Sequence, residues 1–329
     1  MFKKRSIGVV AGLAAAALML AGCASAGGDP ASGGGDDGGK PYIALISKGF
    51  QHQFWQAVKA GAEQAAEEFD VEITFEGPDT EADVDQQIQM LQTALDKSPS
   101  AIGFAALDSQ AAGPLLQQAK DSNIPVIAFD SGVDSDIPLT TASTDNLAAA
   151  AEAAKHMVEA IGGEGKVAIV AHDQTSVTGV QRRDGFVDYI EKNAPNVEIV
   201  DIQYGGGDQA KSADLAKAII AANPDLKGIY GTNEGSAIGV VQAVKELAID
   251  PANLAVVGFD SGKAQMDAIR DGLMLGAITQ NPVGIGYETV KAAVQAINGE
   301  TLPKTIDTGF YWYDKSNIDD DKIQAVLYE

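Results

Sequence analysis

The chain has 329 residues, with 23 Lys and Arg against 46 Asp and Glu, a net charge of −23, and one cysteine, Cys23. A surface this acidic repels phosphate backbones and anionic headgroups, which argues against nucleic acid as a partner. A lone cysteine excludes an intrachain disulfide and a Cys-based zinc site.

The first 23 residues, MFKKRSIGVVAGLAAAALMLAGC, read as an export signal. Lys3, Lys4 and Arg5 form the charged start, an apolar run extends from Ile7 to Leu20, and small residues lead to Cys23. Leu20-Ala21-Gly22-Cys23 resembles the lipobox of bacterial lipoproteins, which implies cleavage before Cys23 and a lipid on it; an ordinary secretory signal is the alternative. Losing the signal removes three positive charges and moves the net charge from −23 to −26. Residues 24–40, ASAGGDPASGGGDDGGK, can bury almost nothing and read as a flexible tether. No later stretch is long and apolar enough to span a bilayer. The 289 residues from Pro41 onward suffice for two domains.

From Pro41, short apolar runs alternate with segments of helical period. Strands are predicted at 42–47, 71–76, 101–106, 125–130, 138–143, 166–171, 197–202, 227–232, 254–260 and 274–279. Several are continuous apolar runs, as parallel strands covered on both faces require. Helices are predicted on the stripe Phe54, Val58, Gly61, Ala62, Ala65, Phe69 and at 83–96, 109–121, 145–160, 178–192, 211–222, 234–247 and 284–297. This alternation predicts an α/β fold of doubly wound parallel sheets with right-handed crossovers.

Ligands of open parallel sheets meet the carboxyl ends of the strands. The stretch FDSG occurs twice, ending the runs IPVIAFD and LAVVGFD, and so places Asp130 with Ser131, and Asp260, at such ends. A plain helix N-cap is the alternative for each. After the first strand, KGFQHQFWQ brings Lys48, His52, Gln53, Phe54 and Trp55 to the start of a helix. A flat ring there can stack on the C–H face of a sugar, or it can belong to the core. HDQTSVTGVQRRDGF offers His172, Asp173, Gln174, Thr175, Ser176, Arg182 and Arg183; Arg182 can fork onto two hydroxyls or stay a solvated helix charge. Asn233, Glu234 and Gln280 follow further strands.

Other signals carry less. GGGD at 205–208 lacks the spacing of a phosphate loop. His52, His156 and His172 show no metal-ligand spacing, and Asp319–Asp321 lacks the rest of a calcium loop, so neither metal nor cofactor is expected. No nucleophile motif appears, so no catalytic residue is assigned and no enzyme is expected.

In order, IALIS with QFWQAVKAGAEQAA, IPVIAFD, STDN, QRRDGF, TNEGSAIGV, VVGFD and AITQNPVGIG resemble the periplasmic sugar-binding proteins of the ribose-binding type. These serve ATP-driven importers and share their fold with the core of LacI-type repressors. The likeness spans about residues 41–313. It implies a periplasmic binding protein type I fold, two domains joined by a three-strand hinge. Crossovers would lie near Ser143–Asp145, Gln280–Pro282 and Asp307–Gly309, giving one domain from 41–144 plus 281–307 and another from 145–280 plus 308–314, with 315–329 along the outside.

The resemblance also implies a ligand set of Phe54, Trp55, Asp130, Arg182, Asn233, Asp260 and Gln280, to which His52 and Ser131, and less firmly Lys48, Gln53 and Asp173, are added. Ribose binders usually carry asparagine at the place of His52, arginine at that of Ser131 and a third aromatic near Gly207; these departures count against ribose itself, and the expected ligand is a small sugar or polyol of open identity. Lys48 and Asp173-Gln174 also resemble autoinducer-2 binders, although TNEG does not match that group. The implied function is capture of the ligand and delivery to an ABC permease and its ATPase, by a monomer held to the cell membrane outside the cytoplasm through Cys23. A subunit handing the closed form to a membrane sensor is the alternative; the export signal and the missing helix-turn-helix argue against a repressor.

Overall fold

The computed structural model describes residues 39–328; the export signal, Cys23 and nearly all of the tether lie outside the described residues. In chain order, β1 (Tyr42–Ile46), α1 (Gln53–Glu68), β2 (Glu72–Glu76), α2 (Val84–Asp96), β3 (Ala101–Phe104), α3 (Gly113–Asp121), β4 (Val126–Phe129) and β5 (Thr141–Ser143) come first. There follow α4 (Asn146–Ala160), β6 (Gly165–Ala171), α5 (Val177–Asn193), β7 (Val197–Tyr204), α6 (Gln209–Ala222), β8 (Leu226–Gly231), α7 (Glu234–Glu246), β9 (Ala255–Phe259), α8 (Lys263–Arg270) and β10 (Gly276–Gln280). The chain ends with α9 (Pro282–Ile297), β11 (Thr305–Asp307), β12 (Phe310–Asp314) and α10 (Asp321–Gln324).

Two six-stranded sheets result, in the orders β11-β5-β4-β3-β1-β2 and β12-β10-β9-β8-β6-β7. All pairings are parallel except β12 against β10. Apolar runs without alternation are what such sheets need, because both faces are covered. In β1, Ile43 and Leu45 pack with α1 and α9, whereas Ala44 and Ile46 pack with α2 and α3. The second sheet likewise carries α4 and α5 on one face and α6, α7 and α8 on the other.

The chain passes between the sheets three times, from β5 to α4, from β10 to α9 and from β11 to β12. The last passage was expected only as a crossover, and β11, β12, α8 and α10 were not predicted. β12 is an antiparallel edge strand, the position a largely parallel sheet most readily gives to such a strand. The C-terminal segment does not simply lie along the outside: Ile318 and Ile323 enter the core of the second lobe, and Tyr328 packs with Phe54 and Trp55 of the first.

Candidate ligand-binding site

The carboxyl edges of the two sheets face each other across a closed cleft. It is lined by Lys48, His52, Phe54, Trp55, Glu81 and Asp130 from the first lobe, and by His172, Thr178, Arg182, Asn233, Asp260 and Gln280 from the second. The space enclosed is about 20 Å³, room for roughly one water. The lobes are shut on one another, and most lining groups bond or pair with one another, although the buried His52 Nδ1 has no hydrogen-bond partner.

Asp130 and Asp260 flank one guanidinium, with Arg182 Nη2 3.9 Å from Asp130 Oδ1 and Nη1 3.8 Å from Asp260 Oδ2. Arg182 is no solvated helix charge: it is 3 % exposed, donates through Nε to Asn146 Oδ1 (2.8 Å) and through Nη1 to Thr232 O (3.1 Å), and lies 3.8 Å over the Phe259 ring. The N-cap alternative for FDSG does not hold either. No helix follows Asp130 directly, and the N-cap of α8 is Gly262. Asp260 instead accepts from Gln280 Nε2 (2.6 Å) and from the Glu234 N–H (2.9 Å).

Phe54 and Trp55 join both readings. They meet edge to face at 5.0 Å and pack among Val58, Phe129, Ile285 and Tyr328, yet both reach the cavity. Trp55 Nε1 donates to Glu81 Oε1 (2.8 Å). Glu81 Oε2 accepts from Asn233 Nδ2 (3.1 Å) and stands 3.8 Å from His52 Nε2. A Cβ at Gly207 would sit 3.0 Å from that carboxylate and 3.5 Å from His52 Nε2, so these two groups fill the space left by a residue without a side chain.

Burial by itself would raise the Glu81 carboxyl; His52, Lys48, His172 and the Trp55 hydrogen bond outweigh it and leave Glu81 below the usual carboxylate range. Asp130 goes the other way, pushed up to about 6 by burial against the pull of Lys48 and Arg182. Burial keeps His172 neutral. Its Nδ1 is 2.7 Å from Thr232 Oγ1. Lys48 Nζ donates across the cleft to Thr178 Oγ1 (3.1 Å) and lies 3.8 Å from Asp173.

Three predicted residues do not line the cavity. Asp173 is turned into its own loop, accepting from the Thr175 and Ser176 N–H groups, and supports Lys48 from behind. Ser131 is fully buried with its Oγ 3.5 Å from the Thr178 N–H. Gln53 contacts the opposite lobe through Lys263. Sequence reasoning missed Glu81 and Thr178 as lining groups and left His172, offered among the strand-end residues, out of the ligand set. Glu81 lies just past the carboxyl end of β2, and the strand-end rule that found the others would have found it there. Among the described residues, no cluster of three or more His, Cys, Asp or Glu is placed to hold a metal, and no helix is long and apolar enough to cross a membrane.

The profile of the periplasmic binding protein domain matches residues 43–301. The D-allose-binding periplasmic protein of Escherichia coli is 29 % identical over 269 residues, covering 79 % of this chain and 86 % of that protein. Two ABC transporter solute-binding proteins of Agrobacterium vitis superpose on the structure. The one with bound D-fucose has a TM-score of 0.84 at 33 % identity, covering 87 % of this chain and 100 % of the other. The one with bound α-D-tagatopyranose has 0.85 at 31 %, covering 88 % and 100 %. A two-sheet fold, a cleft between facing carboxyl edges and a profile match across most of the chain agree: this protein belongs to the periplasmic binding protein domain family.

Proposed function

We propose that the chain captures a small neutral sugar or polyol in the cleft and delivers it to an ABC importer, doing no chemistry on it. The observation that carries this reading is the pair of opposed carboxylates, one per lobe, on either side of Arg182. Vicinal hydroxyls donate to carboxylates and accept from a guanidinium, so a polyol can take over the bonds these groups now make to one another. Three acidic lining groups, Glu81, Asp130 and Asp260, against two basic ones, Lys48 and Arg182, disfavour an anion. Phe54 and Trp55 supply the flat apolar surface for a ring. The ligand-contacting set is then Lys48, His52, Phe54, Trp55, Glu81, Asp130, His172, Arg182, Asn233, Asp260 and Gln280.

Sheet membership supports a division into domains at 41–144 plus 281–307 and 145–280 plus 308–314, closing about the three crossings. The family and the signal-like leader support a protein outside the cytoplasm, and the Leu20–Cys23 run supports an anchor through a lipid on Cys23 beside its permease.

A thermal-shift screen of the protein against D-allose, D-fucose, D-tagatose and D-ribose tests this. A sugar at about a thousand times its Kd adds about 4 kcal/mol to the folded state, a shift of several degrees. No shift with these or with other sugars and polyols, in protein shown to be free of carried-over ligand, would overturn the reading.

A further inference from the structure

We infer that Glu234 is a positioning residue for closure: from the second lobe it caps helix α1 of the first, and this contact across the cleft holds the lobes shut around a ligand. The first N–H groups of a helix have no partner within it. The N-cap of α1, His52, makes no side-chain cap bond. The Gln53 N–H donates instead to Glu234 Oε1 (3.1 Å) and the Phe54 N–H to Glu234 Oε2 (3.2 Å). Negative charge at a helix N-terminus is favoured by the aligned peptide dipoles. Glu234 is 3 % exposed; burial raises its carboxyl, as does Asp260, while His52 and the Gln53 and Phe54 N–H groups pull it down.

The exchange is reciprocal. Gln53 Oε1 accepts from the N–H of Lys263, the first residue of α8 in the second lobe (2.8 Å). Both contacts meet over Gly262, where a Cβ would lie 2.9 Å from Glu234 Cδ and 3.1 Å from Gln53 Oε1. Parting the lobes breaks these bonds, so their stabilisation belongs to the closed form alone. Glu234 does not line the cavity, but its own N–H donates to Asp260, so one short stretch joins the latch to a proposed ligand carboxylate. The opposite rim is joined separately, by the Ser109 N–H to Thr175 O (3.0 Å) and the Thr175 hydroxyl to Leu107 O (3.2 Å), so losing the latch weakens closure without abolishing it.

The inference rests on the reading of the cleft as a sugar site, and its test separates the two. Glu234→Gln removes the charge; Gly262→Ala keeps it and puts a methyl group where the latch meets. Each variant should weaken every sugar that binds the wild-type protein by a similar factor, about tenfold, chiefly through faster dissociation. The order of preference among D-allose, D-fucose, D-tagatose and D-ribose should not change. X-ray scattering of the sugar-free variants should give a larger radius of gyration than the wild type. Unaltered affinity with unaltered radius overturns the latch, as does a changed sugar preference, which would make Glu234 a ligand contact. A lower melting temperature with an unchanged radius would make its role merely structural. If the wild-type protein binds no sugar, the functional reading fails and scattering alone decides the latch: a larger radius in the variants supports it and an equal one overturns it.

Discussion

Asp130 and Asp260 have φ of +54° and +80°, in the left-handed region that few side chains other than Asn and Asp enter. In each case the aspartate N–H still bonds the neighbouring strand, Asp130 to Ala142 O (2.9 Å) and Asp260 to Ile278 O (2.6 Å). The same strained turn, used once per lobe, brings a carboxylate to Arg182. Asp130 also pays for its position. Burial raises its carboxyl to about 6; Lys48 and Arg182 lower it, and Glu81 and Asp260 raise it again. Because the folded value lies above the unfolded one, the folded chain keeps a proton that the unfolded chain releases between about pH 4 and 6. Stability from this group is therefore present below about pH 4, declines as pH rises to 6, and by pH 7 is lower by about 3 kcal/mol. Asp130→Asn should make the sugar-free protein more stable than wild type at pH 7.5, with the gap shrinking to about a third near pH 4.5. Urea unfolding at both pH values checks this, and a gap that does not change with pH would contradict it. Sugar affinity should rise with pH through about 6, because hydroxyls donate to the ionised form, and the Asn variant should lack that rise.

At the scale of elements, α1 is shared between core and site. Its buried stripe packs on α9 and β1, and its first turn carries Phe54 and Trp55 to the cavity wall. Tyr328 stands behind that wall, 6.1 Å from the Phe54 ring, with its hydroxyl accepting from the Ser261 N–H (3.1 Å). The C-terminal segment thus backs the aromatic wall from the second lobe. Tyr328→Phe removes one buried hydrogen bond and should cost about 1 kcal/mol, a melting-point loss of roughly 2–4 °C. Tyr328→Ala empties a packed space and should cost about 3–5 kcal/mol. Calorimetry of the sugar-free variants measures both; an Ala variant as stable as wild type would show that the segment lies loosely after all. The helix α8 escaped prediction because its eight residues sit between two strands and give too short a window for periodicity.

At the scale of the whole molecule, each lobe has its own apolar core, one on either face of each sheet. The lobes share three chain crossings and the polar contacts of the cleft, little of which is apolar. Without sugar they should unfold with partly separate transitions in calorimetry. A bound sugar touching both lobes should merge these into one transition at higher temperature, since a ligand stabilises every unit it must have folded in order to bind. A rise in only one of two transitions would confine the ligand to one lobe.

The sequence by itself determined the α/β class, because continuous apolar strands and one-faced helices are local patterns, and it placed Asp130, Asp260, Asn233 and Gln280 at strand ends because that rule depends only on where a strand stops. It also marked Phe54, Trp55 and Arg182, without deciding between core, surface and site. Only the tertiary structure decided that Arg182 lies between two carboxylates from different lobes, that Glu81 fills the space beside Gly207, and that Gln53, Ser131 and Asp173 serve the cleft from outside its wall. It also placed Tyr328 against Phe54. Those outcomes depend on which residues meet across 50 to 270 positions of chain, and nothing in local period, propensity or spacing encodes a distance between two sheets.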